Sequence, residues 1–443
     1  MRIGTTAPML WIAAMAAATA LGAENNTFLL RNATVHPVSG PAIENASVLV
    51  VDGKIAEVGA KVAPRGKVKV IEARGLHVYP GMIDSGSPIG LAEIASVRET
   101  VDTGELGDFN PQLRALIAVN PSSEHIPVVR ANGITTVLVT PGTTGGSRGS
   151  TSTGLIAGQA SLMHLDGWTW EEMEIRRSAA MQMTWPAIQM PRGSADLEAL
   201  LPGLAARRTT FAEARRNQQQ QVQKIQEFFD AARRYHKAKT AGEAVDPDLR
   251  YEAMIPVLEG KQPLMIQAAR EREIREALDF AARERLKIVL AGVRRPGKTL
   301  EEIARRNIPV ILGTTFVSPM EEDDPYDDPF TLPARLHQAG VKFAFASFNV
   351  QFARNLPYQA AQAVPFGLPY DEALKSVTLY PAQIWGIDAE YGSIEKGKYA
   401  DLIVTDGDPL EIRTQVKMMF IKGVPVDLES KHTRLYKRYS ARP

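Results

Sequence analysis

Apolar and polar residues alternate in short runs at both ends of this chain, while the long middle alternates apolar strands with segments of helical spacing. Residues 27–30, 47–51 and 67–71 are β-rich. They are punctuated by Ser39-Gly40-Pro41 and by Asp52-Gly53-Lys54-Ile55, a hairpin signal. Residues 400–404 and 417–421 repeat the style near the C-terminus, and Gly423 marks the turn into Val424-Pro425-Val426. Two β segments at opposite ends of a chain can close one small sandwich around an inserted domain.

Between them, residues 134–140, 287–291, 309–313 and 341–346 read as buried strands. Residues 271–286 place Ile274, Ala277, Leu278, Ala281 and Leu286 at helical spacing. Strand–helix–strand units over such a length predict an α/β fold, a (β/α)8 TIM-type barrel, with a doubly wound sheet as the alternative. The predicted layout is a β-sandwich half at 24–79, the barrel at 80–389 and the second sandwich half at 390–443. Residues 204–250 break the rhythm. They are polar and arginine-rich, and predict a long helix with a solvated face, inserted between barrel strands.

Composition narrows the function classes. The 443 residues carry 51 Lys and Arg against 50 Asp and Glu, a net charge of +1, so nothing global argues for nucleic acid or an anionic membrane surface. Cysteine is absent, which excludes disulfides, thiolate metal sites and a cysteine nucleophile. At the N-terminus Arg2 precedes an alanine-rich apolar stretch that ends in small residues before Glu24. This matches a secretory signal peptide over residues 1–23, with an uncleaved anchor as the alternative, and predicts a periplasmic or secreted protein with no membrane span once the signal is removed.

The most telling segment is Tyr79-Pro80-Gly81-Met82-Ile83-Asp84-Ser85-Gly86-Ser87-Pro88. It resembles the opening of the first barrel strand in the metal-dependent amidohydrolase superfamily. The segment from Tyr391-Gly392-Ser393 through Gly397-Lys398-Tyr399-Ala400-Asp401 resembles the turn from barrel back to sandwich, and residues 371–382 resemble the last barrel helix. The closest flavour is the imidazolonepropionase-like branch, which acts on cyclic amides, amidines and dipeptides. The resemblance implies a His-x-His pair after the first strand, histidines ending strands five and six, and an aspartate ending strand eight. This chain has Gly86 and Pro88, then Gln267, Gly292 and Phe348 at those places. A hydrolytic zinc needs roughly three or four ligands, so that bound water ionises near neutrality. The expectation is therefore no metal cofactor, although active relatives carry zinc.

Other candidates lie near the expected barrel mouth. His164 falls where some relatives carry a bridging lysine, and a structural histidine is the alternative. The loop 140–154 is rich in Gly, Ser and Thr, and carries Arg148 as a charge partner for an anion or sugar, but it matches no phosphate loop. The stretch 321–328 holds six carboxylates in eight residues, Asp324 among them, without EF-hand spacing; a solvated acidic loop explains it as well. Trp168, Trp170 and Trp185 suit either a carbohydrate-like surface or core packing. Met265, with Gln267 and Phe348, would line a vacated pocket. Two functional classes follow. One is a degenerate member that binds a small molecule, or that pairs with an active amidohydrolase relative or with itself. The other is a hydrolase of C–N bonds in cyclic amides or dipeptides with an unorthodox site.

Overall fold

A computed structural model describes residues 26–64, 66–142, 154–188 and 210–442 of the protein. The signal-like segment 1–23 and Arg148 lie outside the described residues.

The N-terminal strands are β1 (Phe28–Val35), β2 (Ile43–Val51), β3 (Lys54–Gly59), β4 (Lys69–Glu72) and β5 (His77–Pro80). The β2–β3 hairpin turns at Asp52 and Gly53, both at positive φ, which is the backbone that a two-residue Asp-Gly turn adopts. The barrel strands follow: β6 (Met82–Ser87), β7 (Ile134–Val139), β8 (Ile156–His164), β9 (Glu174–Thr184), β10 (Leu264–Gln267), β11 (Ile288–Ala291), β12 (Val310–Leu312) and β13 (Phe343–Phe345). The chain ends with β14 (Leu402–Thr405), β15 (Val416–Ile421) and β16 (Val424–Val426), then the helix Lys431–Ser440.

Strands from both ends share one hydrogen-bonded sheet, in the order β16-β15-β14-β5-β1-β2-β3 with β4 beside β1. β14 lies antiparallel to β5, pairing Leu402 with Pro80 and Val404 with Val78. The hairpin tip is also bonded across the termini, since Ile55 N donates to Lys398 O and Gly397 N to Ile55 O. Phe28, Val48, Ile55, Val78, Leu402 and Phe420 pack into one core, so neither end buries its apolar face without the other.

The middle of the chain forms a nearly closed barrel of eight strands in sequence order, β6 to β13. The ends β13 and β6 meet through Phe348 N donating to Gly86 O at 2.8 Å. One strand departs from the expected all-parallel pattern: β8 runs antiparallel to both β7 and β9. The link from His164 to Glu174 is too short for a crossover, which takes roughly a dozen residues or more. The interior is filled rather than hollow. Ile83, Leu162, Met265, Val289 and Ile311 pack with Trp385 and Tyr391. The Trp385 indole N–H donates to Ser85 Oγ at 3.2 Å. Truncating such a buried indole costs about 3–5 kcal/mol.

The polar segment between β9 and β10 contains the helix Phe211–Thr240, started by a Thr210/Glu213 capping box. One face buries Ile225, Phe228, Phe229 and Ala232, with Phe229 edge-on to Phe280 at 5.1 Å. Arg233 pairs with Glu284 at 2.9 Å, and most of its other charges face water. Among the described residues no helix is long and apolar enough to cross a membrane.

Candidate functional site

The parallel strands β6, β7 and β9–β13 aim their C-terminal ends at one face, where barrels of this kind build sites. At that face β6 and the segment after β13 are knotted together by Asp84. Its carboxylate is fully buried, and Oδ1 accepts from Gly86 N at 3.1 Å and from Ser347 N at 3.0 Å. Oδ2 has no hydrogen-bond partner. Burial pushes the Asp84 pKa up to about 7, against the lowering effect of the Ser347 and Gly86 bonds.

Phe348 follows, at a φ of 44° that a bulky residue rarely adopts. The conformation turns its ring across the barrel top. A β-carbon on Gly86 would stand 2.5 Å from Cε1 of that ring and 3.3 Å from the Ala346 methyl. The far edge of the ring lies 3.6 Å from where a β-carbon on Gly313 would sit. The phenyl group therefore occupies the space into which a side chain at position 86 would project.

A cavity of about 720 Å³ opens beside this ring, over the ends of β11, β12 and β13. Gly292, Arg294, Thr314, Leu332, Phe348 and Phe352 are among its lining residues. Its volume lies within the range of small-molecule sites. Arg294 was not singled out by sequence reasoning, although Val293-Arg294-Arg295 directly follows a strand end, where a charged pair is a usable signal.

The expected ligand places do not fit a family-type zinc site. Gly86, Gly292 and Phe348 present no side-chain donor, and Pro88 cannot donate an electron pair. Gln267 ends β10 with an amide, a poor zinc ligand, and its backbone carbonyl accepts from Trp185 N at 3.0 Å. Among the described residues no three His, Asp or Glu side chains gather as a metal-holding group.

The other expected pocket residues need correction. His164 does not reach the mouth. Because β8 runs antiparallel, its last residue pairs with Thr136 near the start of β7, at the opposite end of the barrel. There His164 is 1% exposed, with Nδ1 3.3 Å from Asp401 Oδ2 but poorly aligned for a hydrogen bond, and Nε2 3.4 Å from the Tyr391 hydroxyl. Met265 is fully buried in the barrel interior and does not line the cavity. Asp324 is not a free rim charge: its side chain is 4% exposed, pairs with Arg295 at 2.9 Å, and accepts from Glu321 N. The three tryptophans differ in burial, and Trp170 packs part-buried against the core. Trp168 is 90% exposed, while Trp185 is buried and donates to Glu276.

Comparison with known proteins agrees with this architecture. Residues 328–427 match the Amidohydrolase family. The chain is 25% identical over 448 residues to "Amidohydrolase tasK" of Hapsidospora irregularis, an alignment covering 92% of this chain and 44% of that protein. The chain thus spans less than half the length of this relative. Among solved structures, an amidohydrolase from Thermotoga maritima MSB8 superposes with a TM-score of 0.75 at 25% identity, over 90% of this chain and 99% of the other. A prolidase solved with N-methylphosphonate-L-proline shares the fold, with a TM-score of 0.54 at 18% identity, over 90% of this chain and 99% of its own.

Proposed function

From the premise that this chain belongs to the amidohydrolase superfamily, we propose that it is a non-hydrolytic member whose barrel mouth has become a binding surface. The observation that carries this reading is the Phe348 ring lying over Gly86. It fills the space into which a side chain at position 86, one of the two expected first-strand ligand places, would project, and the remaining places supply no replacement donors. A barrel so altered keeps its fold because the lost ligands are replaced by packing: ring on glycine, and Asp84 bonded across the closing strands.

The fold around the mouth is otherwise kept, which suits a protein selected for binding. The relative tasK is more than twice as long as the stretch it shares with this chain. This motivates a second element of the proposal: pairing with an active amidohydrolase relative, or with a second copy. Export to the periplasm or beyond, on the strength of residues 1–23, completes it.

The alternative is a hydrolase of C–N bonds with an unorthodox site. It is favoured by the relatives' description as amidohydrolases. Elemental analysis of the purified protein, combined with turnover assays on cyclic amides and dipeptides, separates the two. The non-hydrolytic reading expects no stoichiometric zinc and no turnover. About one tightly held Zn²⁺ per chain, with turnover lost on its removal, would reverse it.

A further inference from the structure

We propose that the cavity beside Phe348 binds a small carboxylate with an apolar body, and that Arg294 holds the carboxylate. The ligand class rests on the non-hydrolytic mouth proposed above.

The charges at the mouth form an unequal set. Arg270 pairs with Glu321 at 2.8 Å, Arg295 with Asp324 at 2.9 Å, and Arg335 with Asp328 at 3.2 Å. Arg294 lines the cavity, and among the described residues no carboxylate lies within ion-pair distance of it. Its one side-chain bond is from Nη2 to Ser318 O at 2.6 Å. That bond fixes one arm of the guanidinium and leaves the other donors of the planar fork for a ligand. Partial burial, then the neighbouring Arg270, lower the Arg294 pKa against the raising effect of the more distant Asp324 and Asp328, both of which are already paired with other arginines. The carboxylate of Asp328 also lines the cavity, but it is engaged by Arg335.

The rest of the lining decides what accompanies the carboxylate. Leu312, Val317, Leu332 and the Phe348 ring make an apolar wall, and Phe352 is 54% exposed at the rim. An apolar ligand body covering these groups gains by removing their surface, and its own, from water. Two aromatic rings and one guanidinium lining the same cavity match a molecule such as an N-acylated apolar amino acid or an arylalkanoate. A sugar would want more convergent hydroxyl partners, and a phosphate would want more cations.

The test is isothermal titration calorimetry on the purified protein with 3-phenylpropionate, N-acetyl-L-leucine and the neutral N-acetyl-L-leucinamide. At least one acid should bind with a Kd below roughly 1 mM, and N-acetyl-L-leucinamide should bind at least about tenfold more weakly than its acid. Arg294→Gln should weaken the acid by about tenfold or more, while leaving the unliganded melting temperature within about 2 °C. Failure of both acids to bind, equal binding of acid and amide, or full binding by Arg294→Gln would each overturn the proposal. If Arg294→Gln does not fold, the acid–amide comparison on the wild type decides alone. Release of leucine from N-acetyl-L-leucine would defeat the non-hydrolytic reading. The Arg294 dependence, read then as a rise in KM, would still stand or fall separately.

Discussion

The ring of Phe348 and the α-carbon of Gly86 stand so close that no side chain fits at position 86 without displacing the ring. The contact joins the end of the first barrel strand to the segment after the eighth. Two places where an active relative would present metal ligands are thus filled by one hydrophobic contact. The replacement is coupled: glycine is needed because the phenyl ring is there, and the ring is held there by the left-handed backbone of Phe348.

Restoring one ligand should therefore fail twice. Gly86→His is expected to destabilise the protein by about 1–3 kcal/mol through overpacking, and to take up no zinc. The double change Gly86→His/Phe348→Ala should recover part of the stability, because the ring no longer collides. Chemical denaturation with zinc titration reads both outcomes. A single variant that is as stable as wild type and binds zinc would show that the ring yields easily.

Asp84 gives the protein a pH signature with a definite sign. Its pKa is raised from 3.8 to about 7 in the folded state, so the folded protein holds a proton that the unfolded chain releases. The contribution is fully present below the unfolded pKa and is lost as pH rises from about 4 through 7. His36, lowered to about 4 chiefly by burial and then by His77, works in the opposite sense between 4 and 6.5. Asp84→Asn removes the titrating carboxyl group and leaves the rest of the pH dependence in place. Stability measured by denaturant at pH 5 and pH 8 should fall less toward pH 8 in the variant than in wild type. An identical difference in both proteins would contradict the raised pKa.

Deleting residues 390–443 should loosen the N-terminal hairpin as well. It removes β14 from the edge of β5 and takes away both backbone bonds to Ile55. Hydrogen exchange at Ile55, Val78 and Tyr79 should accelerate strongly in the truncated protein. Native-like protection of those amides would mean that the N-terminal strands stand by themselves.

At the closed end of the barrel, His164→Ala should lower stability by about 2–4 kcal/mol, since it opens a cavity in the packed interior against the Tyr391 ring. Ligand binding at the mouth should be unaffected by this change, because the two ends are separated by the filled interior. A selective loss of binding, without loss of stability, would restore His164 to the site.

The sequence by itself determined several of the elements, and the absences. The strands at 134–140, 287–291 and 309–313 carry their apolar runs locally, and the Asp52-Gly53 turn needs only its own backbone preferences, so all were readable before any tertiary contact. The lack of donors at Gly86, Pro88, Gly292 and Phe348 is likewise a property of residue identity, which no fold can alter. Tertiary structure decided where side chains point and what meets them. The direction of β8 depends on its partners across the sheet, and with it the end of the barrel at which His164 lies. The Phe348 ring reaches Gly86 across 262 positions of chain only because the barrel brings its first and last strands together. The charged pair Arg294-Arg295 after a strand end marks a place in the sequence, but which of the two is left without a carboxylate is a relation among several residues that only the packed structure decides.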